Sequence, residues 1–187
     1  MRTYSFRPGL LARALERIAL GVEERQTLSP LGGLWYSDIG RRDQIVHLWP
    51  YDSLAHRESV RGRFGELKNW PAKTTEFTVE SETKILAPAP FTPPLTPGKR
   101  GPVYEICTDT CHPESLMKMT EAWSARISER KNLIGAWQTT LGPMYQWIHI
   151  WAYESFEQRL RAAPPGDELC VKRESGIYFP AAFSPLQ

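Results

Sequence analysis

The sequence predicts an α+β fold written twice in tandem, each copy running β-α-β-β-α-β. Three observations carry this. First, a segment at 33–57 returns at 135–159 with a constant offset of 102: Gly33, Trp35, Gly40, Gln44, His47, Trp49, Tyr51, Ser53 and Arg57 recur as Gly135, Trp137, Gly142, Gln146, His149, Trp151, Tyr153, Ser155 and Arg159. Nine identities in 25 positions, two of them tryptophan, mark a duplication. Second, segments of alternating polarity and segments of helical spacing follow one another in the same order in both copies. Third, six prolines between 87 and 102 separate the copies as a stiff, extended linker. The expected organisation is two ferredoxin-like units, 1–86 and 103–187, joined by the linker 87–102.

In the first copy, 1–6 alternates as a strand. Pro8 stands where a helix can begin. Leu11, Leu15, Ile18 and Val22 then fall at helical spacing among charged residues, so 9–25 reads as an amphipathic helix. Ser29-Pro30 breaks it. Strands at 34–39 and 44–49 flank a turn at 40–43. Asp52 is the expected N-cap of a second helix, and 75–86 is the closing strand. The second copy starts at Val103, with Thr108 and Pro113 matching Thr3 and Pro8 at offset 105. Leu116, Met119, Trp123 and Ile127 make its first helical stripe. Strands at 132–141 and 145–151, a short helix at 155–162 and a strand at 171–179 complete it. Near the ends, Ile85, Pro88, Phe91 and Pro93 match Ile177, Pro180, Phe183 and Pro185 at offset 92, so the first copy holds ten more residues before its last strand. A sheet with both helices on one side leaves its other face bare. The tethered second copy is there to cover it.

Bulk properties narrow the function classes. A chain of 187 residues, 41% apolar and 24% charged, is long enough to bury a sizeable core. A net charge of +2, with Lys and Arg scattered among acids, gives no case for nucleic acid. No apolar stretch approaches the roughly 20 residues of a membrane span, and the start shows no signal or transit pattern, so a cytoplasmic protein is expected. Cys107 and Cys111 lie on one predicted strand, about 13 Å apart. That is too far for a disulfide or for one metal ion, so reduced thiols and no metal are expected. No phosphate-cradling glycine loop follows a strand, and neither Gly-x-Ser-x-Gly nor His-Glu-x-x-His occurs. No cofactor is implied.

The stretches LSPLGGLWYSDIG and QIVHLWPYDSLAHRESVR, the second start VYEICTDTCHPESL and the ending AAFSPLQ resemble the NIPSNAP family over nearly the whole chain. The motif Ile45-Val46-His47-Leu48-Trp49-x-Tyr51-x-Ser53-x-Ala55-x-Arg57 is the most specific part. The resemblance implies a dimeric α/β barrel, in which two ferredoxin-like sheets face each other. That superfamily contains cofactor-independent monooxygenases, small-molecule isomerases and haem-handling enzymes. The family itself has no settled activity, and its animal members are linked to mitochondria and vesicle traffic. Its strand start resembles Tyr-Glu-Leu-Arg-x-Tyr. Here the second copy keeps Tyr104 and Glu105 but has Cys107 and Asp109 at the Arg and Tyr positions, while the first keeps Arg2 and Tyr4.

Strand alternation divides the candidate site residues. Val46, Leu48, Ile148 and Ile150 form an aliphatic face, expected to pack on helices. Ile45, His47 and Trp49, with Trp147, His149 and Trp151, form the opposite face, expected to line the space between the sheets. Pairing Ile39 with Gln44 would set Tyr36 opposite His47, and Gln138 opposite His149. His47 and His149 are therefore the candidate proton-transfer residues. Tyr36, Asp38, Trp49, Gln138, Trp147 and Trp151 are the candidate ligand-binding residues, and Arg2, Tyr4, Glu105 and Asp109 are secondary ones. A recurring His and Trp can equally be hydrogen-bonded core residues. The charged run 57–68 reads as a solvated helix face. Two functions stay open, beside a haem-handling role as a third option. One is binding of a small apolar or aromatic molecule, with an oxygenase or isomerase as its enzymatic form. The other is a non-enzymatic scaffold acting through protein–protein contacts, with self-association into a homo-oligomer available to either. A solvent-reached pocket lined by His47 or His149 favours the first, and a closed, packed seam the second.

Overall fold

The computed structural model describes the backbone of residues 1–187 and every side chain except that of Asp38. The elements in chain order are β1 (Arg2–Phe6), α1 (Leu11–Gln26), β2 (Gly33–Ile39), β3 (Gln44–Leu48), α2 (Leu54–Gly62), β4 (Thr78–Thr83), β5 (Ile85–Pro88), β6 (Val103–Cys111), α3 (Ser115–Ala125), β7 (Leu133–Leu141), β8 (Gln146–Tyr153), α4 (Phe156–Arg161) and β9 (Cys170–Pro180). The β-α-β-β-α-β order is present in both copies.

All strands join one antiparallel sheet in the order β4-β1-β3-β2-β9-β6-β8-β7-β5. The two ends of that order are separated in the chain by Lys84 alone, so the sheet closes into a barrel. The segment 78–88 pairs first with β1 and then with β7. In the same way β9 pairs with β6 over most of its length and reaches β2 through Ile177–Pro180. The last strand of each copy thus crosses to the other copy, and closure leaves no free edge. The strand expected at 75–86 changes partner at Lys84, whose N–H donates to the Met1 carbonyl at 2.9 Å. No helix among the described residues is long and apolar enough to cross a membrane.

Three apolar clusters fill the molecule. Trp35, Val46, Leu48, Tyr104, Ile106, Trp137, Ile148 and Ile150 come from both copies and fill the barrel interior. Phe6, Ala14, Ile18, Val22, Leu34 and Ile45 pack α1 on the first copy's outer face. Met119, Trp123, Trp147 and Trp151 do the same for α3 on the second. This reverses the expected assignment of faces: the aliphatic set lies between the sheets, and the His-Trp set lies under the helices. All five residues of β3 are buried, so hydrophobicity presses equally on both of its faces. Alternation separates the two sets but carries no sign for which is inside.

The hairpin register also differs from expectation by two residues. Leu34 lies opposite His47, Tyr36 opposite Ile45 and Gln138 opposite Trp147. A two-residue slip keeps every side chain on its face. The turn is longer than expected because Ser37 already pairs with Gln44, and the Ser37 hydroxyl donates to the Arg41 carbonyl across it. Asp43, at φ 56°, makes the left-handed step that returns the chain.

Two of the repeated residues have plain structural reasons. Ser53, rather than the expected Asp52, caps α2 by accepting from the His56 N–H at 3.0 Å, and Ser155 caps α4 by accepting from Gln158 at 3.2 Å. Gly135 makes room for an indole two residues on, since a Cβ there would stand 2.7 Å from Trp137 Cη2. Gly33 and Trp35 stand in the same relation.

Candidate functional site

The repeated His-x-Trp pair is built identically in both copies. Residues two apart on a strand share a face, and the Trp indole N–H donates to His Nδ1 at 2.5 Å in each: Trp49 to His47 and Trp151 to His149. That bond leaves the ring proton on Nε2. The surroundings then diverge.

In the second copy the pair is sealed in a polar network. Cys107 lies across from His149 and Asp109 across from Trp147. His149 Nε2 donates to Asp109 Oδ2 at 3.1 Å. Arg173, on β9, grips both oxygens of the same carboxylate at 2.6 Å each. Next along β6, Glu105 accepts from Arg159 of α4 at 2.9 and 2.7 Å. The side chains of His149 and Asp109 have no solvent exposure. Burial alone would raise the Asp109 pKa, but the hydrogen bonds from Arg173 and His149 overturn it and hold it at about 2. Burial lowers the His149 pKa against the pull of Asp109. The network is thus ionised Asp, charged Arg and neutral His, with the Trp123 ring 5.0 Å from the imidazole. Its chemistry is that of a satisfied buried ion pair.

In the first copy Arg2 lies across from His47 and Tyr4 across from Ile45. The Tyr4 ring stacks on His47 at 5.7 Å, and Arg2 donates to the Tyr4 hydroxyl at 2.7 Å. A tyrosine therefore stands where the second copy has its aspartate. Burial, followed by the positive charges of the chain N-terminus, Arg2 and Arg25, pushes the His47 pKa down to about 3. His47 is neutral at physiological pH.

His47 and Trp49 line a cavity of about 560 Å³ at one mouth of the barrel. The ends of β1 and β3, the start of α2, the β4–β5 junction and the prolines of 88–94 converge on it. That volume falls within the roughly 300–1,000 Å³ of small-molecule sites. Leu86 and Trp137 supply an apolar wall from β5 and the second copy, while Phe64 and Trp70 supply an aromatic wall from the first. Arg25, from the end of α1, lies under the floor. Its guanidinium stands 4.1 Å from the centre of the Trp49 ring and donates to the Tyr51 hydroxyl at 2.9 Å.

The expected site residues are therefore divided. His47 and Trp49 meet at the cavity. His149, Trp147 and Trp151 belong to the sealed core under α3. Tyr36 packs 5.8 Å from Phe179, and Gln138 pairs across to Trp147; neither lines the cavity. Asp38 lies outside the described side chains. Glu105 and Asp109 are not exposed polar residues at a sheet edge; they are buried acceptors of arginine. Residues that sequence reasoning missed include Arg25, Tyr51, Arg61 and Lys84, all lining the cavity. The run from Arg57 is not purely a solvated face, because Arg57 and Arg61, one helical turn apart, both turn to it. Tyr51 and Arg57 were within the repeat and could have been found there; the end of α1 gave no such signal. Cys111 meets a cysteine after all, Cys170 across the β6–β9 ladder, with the two free thiols 3.4 Å apart. Among the described residues no three His, Cys, Asp or Glu side chains gather to hold a metal ion.

Comparison with known proteins gives a consistent picture. The model of the NIPSNAP family matches residues 1–93 and 104–163. Human NipSnap homolog 3B is 25% identical over 209 aligned positions, covering 100% of this chain and 84% of that protein. Among solved structures, a monooxygenase candidate from Fusobacterium nucleatum superposes with a TM-score of 0.68 at 8% identity, covering 96% of this chain and 90% of its own. Another from Lactobacillus acidophilus gives 0.65 at 10% identity, covering 96% and 91%. Likeness at such identity speaks for the barrel fold alone.

Proposed function

The chain belongs to the NIPSNAP family, and from that premise we propose that it binds a small apolar or aromatic molecule in the cavity at the barrel mouth, against His47 and Trp49. One observation carries this reading. His149 is sealed from solvent in one copy, held by Asp109, while its counterpart His47 lines a cavity of about 560 Å³ in the other. The barrel seam between the copies is packed, as a scaffold would have it, but the pocket beside it supports the binding reading. Its walls join apolar and aromatic side chains to a cluster of cationic ones, and polar groups converging on an apolar hollow are the make-up of a ligand site.

The enzymatic form of this reading is a cofactor-independent monooxygenase or isomerase, with His47 transferring a proton. A general base works best with a pKa near the operating pH. At about 3, lowered first by burial and then by the positive charges around it, His47 is too weak a base in the free chain. As a neutral ring it serves meanwhile as a hydrogen-bonding wall.

The test uses N-phenyl-1-naphthylamine, a neutral fluorophore that brightens in apolar surroundings. Saturable brightening is expected with the wild-type chain. It should be lost in Leu54→Trp, because Leu54 is half exposed at the cavity rim and an indole there narrows the mouth. Equal brightening with both proteins would place the probe elsewhere and refute the assignment.

A further inference from the structure

We infer that the molecule this cavity accepts is an amphiphilic organic anion, with a carboxylate or phosphate head held by Arg25 and Arg61 and an apolar body against Leu86 and Trp137. The inference rests on the reading above that the cavity binds a small molecule, and it adds the chemical class.

The chain carries a net charge of only +2, yet the cavity is strongly unbalanced. Five cationic side chains line it: Arg2, Arg25, Arg57, Arg61 and Lys84. One carboxylate, Asp52, does so too, but its side chain is 95% exposed and turned to His56 at 3.0 Å. Arg57 pairs with Glu58 on its own helix, and Lys84 with Glu82 at 3.4 Å. Arg2, Arg25 and Arg61 have no carboxylate at ion-pair distance among the described residues.

Arg25 is the strongest part of the argument. It is 1% exposed, and a guanidinium stays charged in proteins. Ser29, Tyr51 and the rings of Trp49 and Phe64 surround it. Hydrogen bonds and cation–π contacts recover part of the desolvation cost. Among the described residues no counter-charge does, and its Nε proton has no acceptor. Burial disfavours its charged form, Tyr51 recovers part of that, and the neighbouring Arg61 works against it; Arg61 is in turn disfavoured by burial, Arg2 and Arg57, with Glu58 offsetting part. Three like charges without a carboxylate partner around one cavity, Arg2, Arg25 and Arg61, are a site completed by an anion. The other copy supplies the contrast. Arg159, the counterpart of Arg57, is neutralised by the buried Glu105 in a two-point ion pair.

The opposite wall explains the second half of the ligand. Leu86 and Trp137 belong to the apolar cluster of the barrel interior and line the same cavity. A fully hydrated inorganic ion would leave that surface wet, whereas an alkyl or aryl tail buries it.

The experiment titrates the wild-type chain by calorimetry with octanoate, octyl phosphate and octanamide, three probes that share one tail. A charge-assisted contact predicts that one or both anions bind at least about tenfold more tightly than the amide, with the preference falling as salt rises. Arg61→Met and Arg25→Met should each bring the anions to within a few-fold of the amide and weaken the amide far less than the anions. Arg61 is half-exposed on α2, so its variant reads the charge even where loss of buried Arg25 harms folding. An anion preferred alone identifies its head as the one accepted. Equal binding of all three probes, or anion binding indifferent to Arg61→Met in a folded protein, overturns the inference and leaves the cavity reading standing. Binding of none of the three overturns both.

Discussion

Replacing Asp109 by Asn removes the central charge of the sealed network with almost no change in shape. Asp109 accepts two bonds from Arg173 at 2.6 Å and one from His149 at 3.1 Å. Breaking a buried ion pair from one side costs about 3–5 kcal/mol. The lower end applies here, because Arg173 keeps 26% of its side-chain surface and also donates to the Pro165 carbonyl at 2.8 Å. About 3 kcal/mol is a large share of the 5–15 kcal/mol that hold an ordinary domain, and it corresponds to a fall of about 6–12 °C in Tm. The sign with pH follows from the direction of the shift. The folded pKa of Asp109 is depressed from 3.8 to about 2, so its stabilisation is full above about pH 4 and is lost as pH falls through 2. The depression corresponds to about 2 kcal/mol. Urea unfolding followed by tryptophan fluorescence should therefore show Asp109→Asn about 3 kcal/mol below wild type at pH 7, with the gap narrowing to about 1 kcal/mol near pH 2. A variant within about 0.5 kcal/mol of wild type at pH 7, the size of a neutral surface substitution, or a gap that does not change with pH, would refute the network's role as a tertiary staple.

Three further outcomes follow from the same geometry. His149→Ala should cost about 2–4 kcal/mol, because it leaves both the Trp151 indole and Asp109 short of a buried partner, while His47→Ala should cost roughly half that beside a cavity water can enter; parallel denaturation curves compare them, and equal losses would contradict the sealed-versus-open distinction. Proton NMR across pH 5–8 should show no titration of His47 in the free chain, since burial and then the neighbouring positive charges hold its pKa at about 3; a midpoint near 6.5 would mean that the ring is not desolvated as the fold requires. Gly135→Ala should lose about 1–3 kcal/mol through overlap with the Trp137 indole and the Thr92 methyl, and Trp137→Leu should restore only the indole's share of it, a coupling that a double-mutant cycle measures.

The duplication determined a great deal by itself. The nine identities at offset 102 placed equivalent strands, helices and caps in both copies, because residues such as Gly135 and Ser155 answer to local sterics and local hydrogen bonds. Strand order in the closed ring then followed the ferredoxin-like pattern that the element order implied. What periodicity could not supply was direction. Val46 and His47 are separated onto opposite faces by alternation alone, but both faces are buried, so only the packing of α1 and of the other copy decides which looks inward. The register depended on how Ser37 closes its turn, a long-range choice in a segment where a two-residue slip changes no pattern. The functional divergence was hidden for a related reason. His47 and His149 are identical in the repeat, and their difference lies in Tyr4 against Asp109 across the ladder and in Arg25 from a helix end beneath. Charge balance at a site is a sum over groups brought together from distant parts of the chain. The tertiary structure therefore decided that one histidine is locked in an ion-pair core and the other stands at a cavity rich in unpaired arginine.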